Sequence, residues 1–328
     1  MTRRRTMQVL FAAVGVMVLI FDSRCALEGA RAGMDLCIRT VIPSMFPFLV
    51  LSMMFTTSLG NVDGRFIHRL SGVMKIPVTA APILIPAFLG GYPVGAKCVA
   101  NLYNNGAIDK QHAERLLAFC SNAGPSFLFG MVSAFFPDRQ MAWQLWLIHI
   151  LGAVFTGILY PVTAKETTNN RDLQTAVQKD DLMLSALKAM GIVCGWVVLF
   201  RTVTAFLKKW ILWLLPPWLE AVIIGVLELS NGCCVLLQIQ NVDLRFIICS
   251  CILALGGVCV LFQTISVTKG LSLRNYYVGK FIQTLFSLLL SSAVVAKYGI
   301  LCFTVVISIV LILVKGKNKG GNLRMYPV

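Results

Sequence analysis

Apolar positions run along this chain in blocks of helix-spanning length, parted by short polar clusters. Runs of this kind read as membrane helices. The pattern predicts spans at about 7–22, 41–59, 117–136, 142–162, 189–207, 244–263, 281–296 and 298–314. Two more apolar stretches, 78–104 and 211–238, are interrupted midway and are expected to be re-entrant or broken-helix hairpins. The fold class expected is therefore an all-α polytopic membrane protein of about eight transmembrane helices plus two such hairpins.

The sharpest interruption is "FLGGYPVGAKCV" at 88–99, which follows "VTAAPILIPA" at 78–87. A spanning helix has no use for Gly90, Gly91, Pro93 and Gly95 so close together, and a central lysine costs about 2.5–3.5 kcal/mol on insertion scales. Interrupted backbone at membrane depth is tolerated where protein or a watery cavity satisfies its polar groups. Further breaks stand at "CSNAGPSF" (120–127), "LELSNGCC" (227–234) and "LGGVCVLFQT" (255–264).

These breaks fall in corresponding places of two halves, 41–162 and 189–296. Each half reads helix, interrupted hairpin, helix, helix, and the two enter the membrane from opposite sides. The organisation expected is an N-terminal helix with a connecting amphipathic segment (1–40), a first repeat (41–162), a cytoplasmic loop (163–188), a second, inverted repeat (189–296), and a last helix with a basic tail (297–328). Inverted repeats with paired interruptions are the pattern of secondary transporters, whose sites lie where the interruptions meet.

Composition sharpens the class. The chain is 57% hydrophobic and 13% charged, with mean hydropathy +0.79; a soluble domain carries about 25% charged residues. The net charge of +15 is spread in short clusters between apolar runs, with no basic stripe interleaved with aromatics, so nucleic acid is not an expected partner. With the N-terminus inside, cytoplasmic segments collect 19 Lys and Arg against 8 outside, leaving Lys97 and Arg201 at depth. That bias predicts both termini in the cytoplasm. The start, "MTRRRTMQVLFAAVGVMVLIF", is followed by "SRC", a poor cleavage site, and reads as an uncleaved first helix. The eleven cysteines include no C-x-x-C pair and read as small buried hydrophobes.

Freed N–H groups at a half-helix start attract anions, and freed carbonyls attract cations. Candidate substrate-binding residues at the breaks are Gly91, Tyr92, Gly95, Lys97, Ser121, Asn122, Ser126, Ser230 and Asn231. Thr264 is a further polar side chain there. Glu228 and Gln263 are candidates for coupling or ion binding, although Glu228 could equally pair with Lys97 as a structural bridge, and Gly and Ser could serve helix packing alone. Arg201 is expected to snorkel, His112 to be exposed, and His149 to stand alone in an apolar helix. No catalytic constellation, phosphate-cradling loop, metal site or cofactor motif is expected, so the chain does not read as an enzyme.

"PSMFPFLVLSMM" (43–54), the block "GGYPVGAKCVANLYNNGAIDKQHAERLLAFCSNAGPSFLFGMV" (90–132), "LELSNGC" and "LGGVCVLFQ" together resemble the sporulation integral membrane protein family YlbJ, also called SpoVV. The resemblance covers roughly 40–300. It implies the nucleoside-recognition "Gate" domain, also found in spore maturation proteins, ferrous-iron permeases and nucleoside carriers. It further implies the mother-cell-derived membrane around the forespore and import of dipicolinic acid, a small aromatic dicarboxylate. A small-molecule anion and the lipid bilayer are then the expected partners, along with a homo-oligomer or other sporulation membrane proteins. Three alternatives remain open. They are a nucleoside carrier using Asn122, Glu228 and Gln263, a metal permease using Cys98, Cys120 and Cys233, and a non-transport assembly or signalling protein.

Overall fold

The computed structural model describes residues 3–58, 71–160 and 182–298, and among these every regular element is helical. In chain order the helices are α1 (Arg3–Phe21), α2 (Ser23–Leu36), α3 (Ile42–Ser58), α4 (Leu84–Leu89), α5 (Val94–Asn104), α6 (Lys110–Leu117), α7 (Pro125–Gly130), α8 (Arg139–Leu159), α9 (Leu182–Trp210), α10 (Pro217–Leu227), α11 (Leu229–Val235), α12 (Val242–Leu255), α13 (Gly257–Val267) and α14 (Arg274–Val295). Five helical stretches among the described residues are long and apolar enough to cross a membrane. They are Ser23–Leu51, Arg139–Leu159, Leu182–Trp210, Val242–Val267 and Arg274–Val295. The stretch expected at 298–314 and most of the 163–188 loop lie outside the described residues.

The expected span at 117–136 does not form. After α6 the chain is non-helical over 118–124, and only the short α7 and a 3₁₀ turn at Val132–Phe135 follow. Pro125 accounts for this: the residue before a proline is steered from the α region, and Gly124 is extended at φ −78°, ψ 158°. Pro125 then occupies the first turn of α7, where its missing N–H costs nothing.

The segment between the first and third helices, expected to connect them, is itself helical. Asp22 accepts the Cys25 N–H at 3.2 Å to start α2, and a π-helical turn at Cys37–Val41 carries the helix into α3. Glycines let α2 lie directly on α9. A Cβ on Gly29 would sit 2.8 Å from the Thr202 Cα, and one on Gly33 would sit 2.8 Å from the Val198 Cα.

The helices are interrupted at four places, in two interlocked pairs. The first pair is the α4–α5 break at 90–93 and the 118–124 segment. A Cβ on Gly124 would meet the Gly91 nitrogen at 2.9 Å, and one on Gly95 would collide with the Cys120 carbonyl. The second pair is the α10–α11 break at Glu228 and the α12–α13 break at Gly256 and Gly257, whose φ angles are +78° and +80°. A Cβ on Gly257 would lie 2.9 Å from the Gly225 carbonyl oxygen, and one on Gly232 would strike the Gly225 Cα. Two successive left-handed residues cannot continue a helix, and glycine adopts that region at least cost.

Two polar residues of α6 are enclosed, and one of them, His112, was expected to be exposed. Arg115 is 2% exposed and donates to the carbonyls of Lys75 (3.1 Å), Met74 (2.6 Å) and Gly157 (2.9 Å), so it serves backbone groups. His112 is 4% exposed and lies 2.9 Å from Asp109, the residue that caps α6.

Candidate functional site

Helix α14 buries its polar side. Tyr276, Gly279, Lys280, Gln283, Ser287 and Ser291 face inward at helical spacing, while Phe281, Leu285 and Leu289 are exposed. A water-soluble helix would be turned the other way. In a bilayer the apolar side faces lipid, and the polar side can only be satisfied by protein or by a ligand.

Lys280 lies at the centre of this arrangement, 3% exposed. Its ammonium donates to the Ser121 carbonyl, to the Tyr92 hydroxyl at 3.3 Å and to Gln283 Oε1 at 3.1 Å. It also stands 5.1 Å from the Tyr92 ring centre and 6.0 Å from that of Tyr276. The non-helical 118–124 segment frees the Ser121 carbonyl to be served. Among the described residues no carboxylate forms an ion pair with Lys280.

The amide orientations follow from fixed backbone ends. Asn122 Nδ2 donates to the Phe119 carbonyl at 2.7 Å, which leaves its Oδ1 to accept from Gln283 Nε2 at 3.1 Å. The same Gln283 amide approaches the His149 carbonyl at 3.3 Å, so Gln283 Oε1 must face Lys280. The Tyr92 hydroxyl donates to the Leu253 carbonyl at 3.1 Å, so it accepts from Lys280. Tyr92 thereby joins the first interlocked pair of breaks to the second. His149, expected to stand alone, accepts the Ala123 N–H on Nε2 at 3.0 Å.

A second polar cluster surrounds the α10–α11 break. Glu228 accepts the N–H groups of Ser230 (3.0 Å) and Asn231 (2.7 Å), capping α11 with both oxygens. Asn231 Oδ1 in turn accepts from Arg201 at 3.1 Å, so Arg201 reaches inward rather than snorkelling out. Gln263 is buried and contacts Cys259 Sγ at 3.3 Å.

The sequence candidates therefore separate. Tyr92, Ser121 and Asn122 gather at Lys280, with Gly91 and Gly95 in the backbone that holds them. Glu228, Ser230 and Asn231 form the other cluster. Ser126 is buried on the first turn of α7. Lys97 is half-buried on α5 and enters neither network; no ion pair joins it to Glu228. Lys280, Gln283, Tyr276 and His149 were not among the candidates. Lys280 falls one position before the span expected at 281–296, so hydropathy leaves it outside the membrane. The signal that places Lys280 inside is the polar stripe at 276, 280, 283, 287 and 291, at helical spacing.

No family model matches the chain, and no solved structure matches it. Among curated proteins, the sporulation integral membrane protein YlbJ of Bacillus subtilis (strain 168) is 28% identical over 146 residues. That match covers 43% of this chain and 35% of the relative, so it spans little more than a third of the curated protein's length.

Proposed function

We propose that this chain is an integral membrane protein of sporulation that carries a small organic anion across the bilayer. The observation that carries this reading is the Lys280 ammonium, buried among neutral acceptors, with no ion-paired carboxylate among the described residues. An enclosed charge without a counter-charge is costly, and an anionic ligand arriving beside it removes that cost.

The four breaks support transport. They interrupt the helices close to the site, and their glycine contacts lock the two breaks of each half to one another, so that each half can move as a unit. On this reading the two halves are the inverted repeats of an alternating-access carrier, with both termini in the cytoplasm. The named relative supports a role in sporulation, and the wider family resemblance makes dipicolinic acid, moved toward the forespore, the first substrate to try. The metal alternative has less support: among the described residues no three His, Cys, Asp or Glu side chains gather as a metal site.

The test is a thermal-shift screen of the purified protein against dipicolinate, nucleosides and divalent metals. Stabilisation by dipicolinate that disappears in Lys280→Met supports the proposal. Stabilisation by nucleosides alone transfers the site to the nucleoside reading, and stabilisation by none of them favours an assembly protein.

A further inference from the structure

Three hydroxyls gather at Tyr276, whose ring centre stands 6.0 Å from the Lys280 ammonium, and play no part in the network that holds it. Ser121 Oγ, Thr264 Oγ1 and Tyr276 OH have no hydrogen-bond partner among the described residues, and their residues are 1%, 0% and 3% exposed. The Tyr276 hydroxyl lies next to Thr264 and Ser121 without reaching hydrogen-bond geometry with either. They arrive from three separate elements: the 118–124 segment, α13 and α14.

A buried hydroxyl left unpaired costs about 1–3 kcal/mol. Packing alone gives no reason to gather three, because alanine, valine and phenylalanine would fill similar space without that cost. The ammonium is already engaged. Its three contacts are all acceptors, since Tyr92 has committed its proton to Leu253 and Gln283 has committed its amide group to Asn122 and His149. Lys280 therefore supplies positive potential at this point, while the hydroxyls supply the free donors. The Ser121 carbonyl binds the ammonium, and the hydroxyl of the same residue stays available a few bonds away.

We propose that Ser121, Thr264 and Tyr276 form the subsite for one carboxylate group of the transported ligand, with Lys280 as its fixed counter-charge. This deepens, and rests on, the anion reading above. A carboxylate presents two oxygens and about four lone-pair sites, enough for three hydroxyl donors at once. A cation would also find oxygen atoms here, but the neighbouring ammonium repels it. One negative charge matches one ammonium, which favours a carboxylate over a phosphate dianion. The hydroxyls are enclosed, so a ligand reaches them only when the 118–124 segment, α13 and α14 separate, as alternating access requires.

The test uses the full chain in detergent and measures binding of dipicolinate, benzoate and inorganic phosphate by titration calorimetry. Thr264→Val and Tyr276→Phe keep the volume and remove the donor. Each is expected to weaken dipicolinate and benzoate binding about ten- to a hundredfold, the range for a hydrogen bond to a charged group. Thr264→Ser is expected to restore binding to within a few-fold of wild type. The ligand-free melting temperature of Thr264→Val and Tyr276→Phe should hold or rise, since an unpaired polar atom has gone; a purely structural role would lower it. Wild-type affinity in both variants overturns the subsite while leaving the anion reading standing. Tighter binding of phosphate than of either carboxylate overturns the ligand class. Failure of the wild-type protein to bind any of the three overturns the anion reading itself.

Discussion

Lys280 donates a hydrogen bond to the backbone carbonyl of Ser121, 159 positions earlier in the chain. The non-helical segment 118–124 thus receives a charge from the unbroken helix α14. The contact explains why the 118–124 segment can leave carbonyls unpaired within the fold, and why α14 carries its polar stripe inward.

Lys280→Met keeps the length and apolar stem of the side chain and removes the charge. On the proposed anion reading, dipicolinate uptake into proteoliposomes should fall to background, because the counter-charge at the site is gone. Lys280→Arg should also fail, since a planar guanidinium cannot reproduce three divergent bonds to Ser121, Tyr92 and Gln283.

Lys97→Ala should behave differently. Lys97 joins neither polar cluster, so uptake is expected to stay within about twofold of wild type, a difference below about 0.5 kcal/mol. A loss as deep as that of Lys280→Met would return Lys97 to the site.

Gly95→Ala places a methyl group against the Cys120 carbonyl. The neighbour is backbone, so the seam between the first two breaks must shift, at a cost of about 1–3 kcal/mol. Gly191→Ala, where nothing lies within 4 Å, is the control. Melting temperatures of the two variants in one detergent should differ clearly, with Gly191→Ala at or above wild type because alanine favours helix.

Glu228→Ala removes the acceptor for two N–H groups at the start of α11. The expected loss is about 1–2 kcal/mol of stability, read as a lower melting temperature. Glu228→Gln keeps one acceptor and should recover about half of it. A role in ion coupling would show instead as uptake losing its dependence on sodium or on a proton gradient, with stability unchanged.

At the surface, Asp22 is held below its ordinary carboxylate range, first by its hydrogen bond from Lys209 and then by the Cys25 N–H. A lowered carboxylate stabilises the fold above its unfolded-state value and loses that contribution as pH falls through the folded one. The pair is exposed and screened by salt. The expected acid effect is therefore a small fall in melting temperature below about pH 4, absent in Asp22→Asn.

Much of the architecture could be read from residue pattern. The apolar runs locate the long helices, and Gly90, Gly91, Pro93, Gly95, Gly124, Gly256 and Gly257 mark the breaks, because glycine and proline act on the backbone locally. The failure at 117–136 came from counting apolar residues across Asn122, Gly124 and Pro125, whose backbone preferences outweigh hydropathy. The site was only half legible. Tyr92, Ser121 and Asn122 stand at breaks, but Lys280, Gln283 and Tyr276 sit on an unbroken helix with nothing local to mark them. The span expected at 281–296 stops one residue short of Lys280, whose inward face shows in its register with Gln283 and Ser287. Which break meets which helix depends on contacts more than a hundred residues apart, such as Lys280 with Tyr92.

The most direct measurement is dipicolinate uptake into proteoliposomes holding wild type, Lys280→Met or Lys97→Ala at equal protein content. Uptake by wild type and Lys97→Ala, with none by Lys280→Met, is the predicted result. Equal uptake by all three would contradict an anion site built on Lys280.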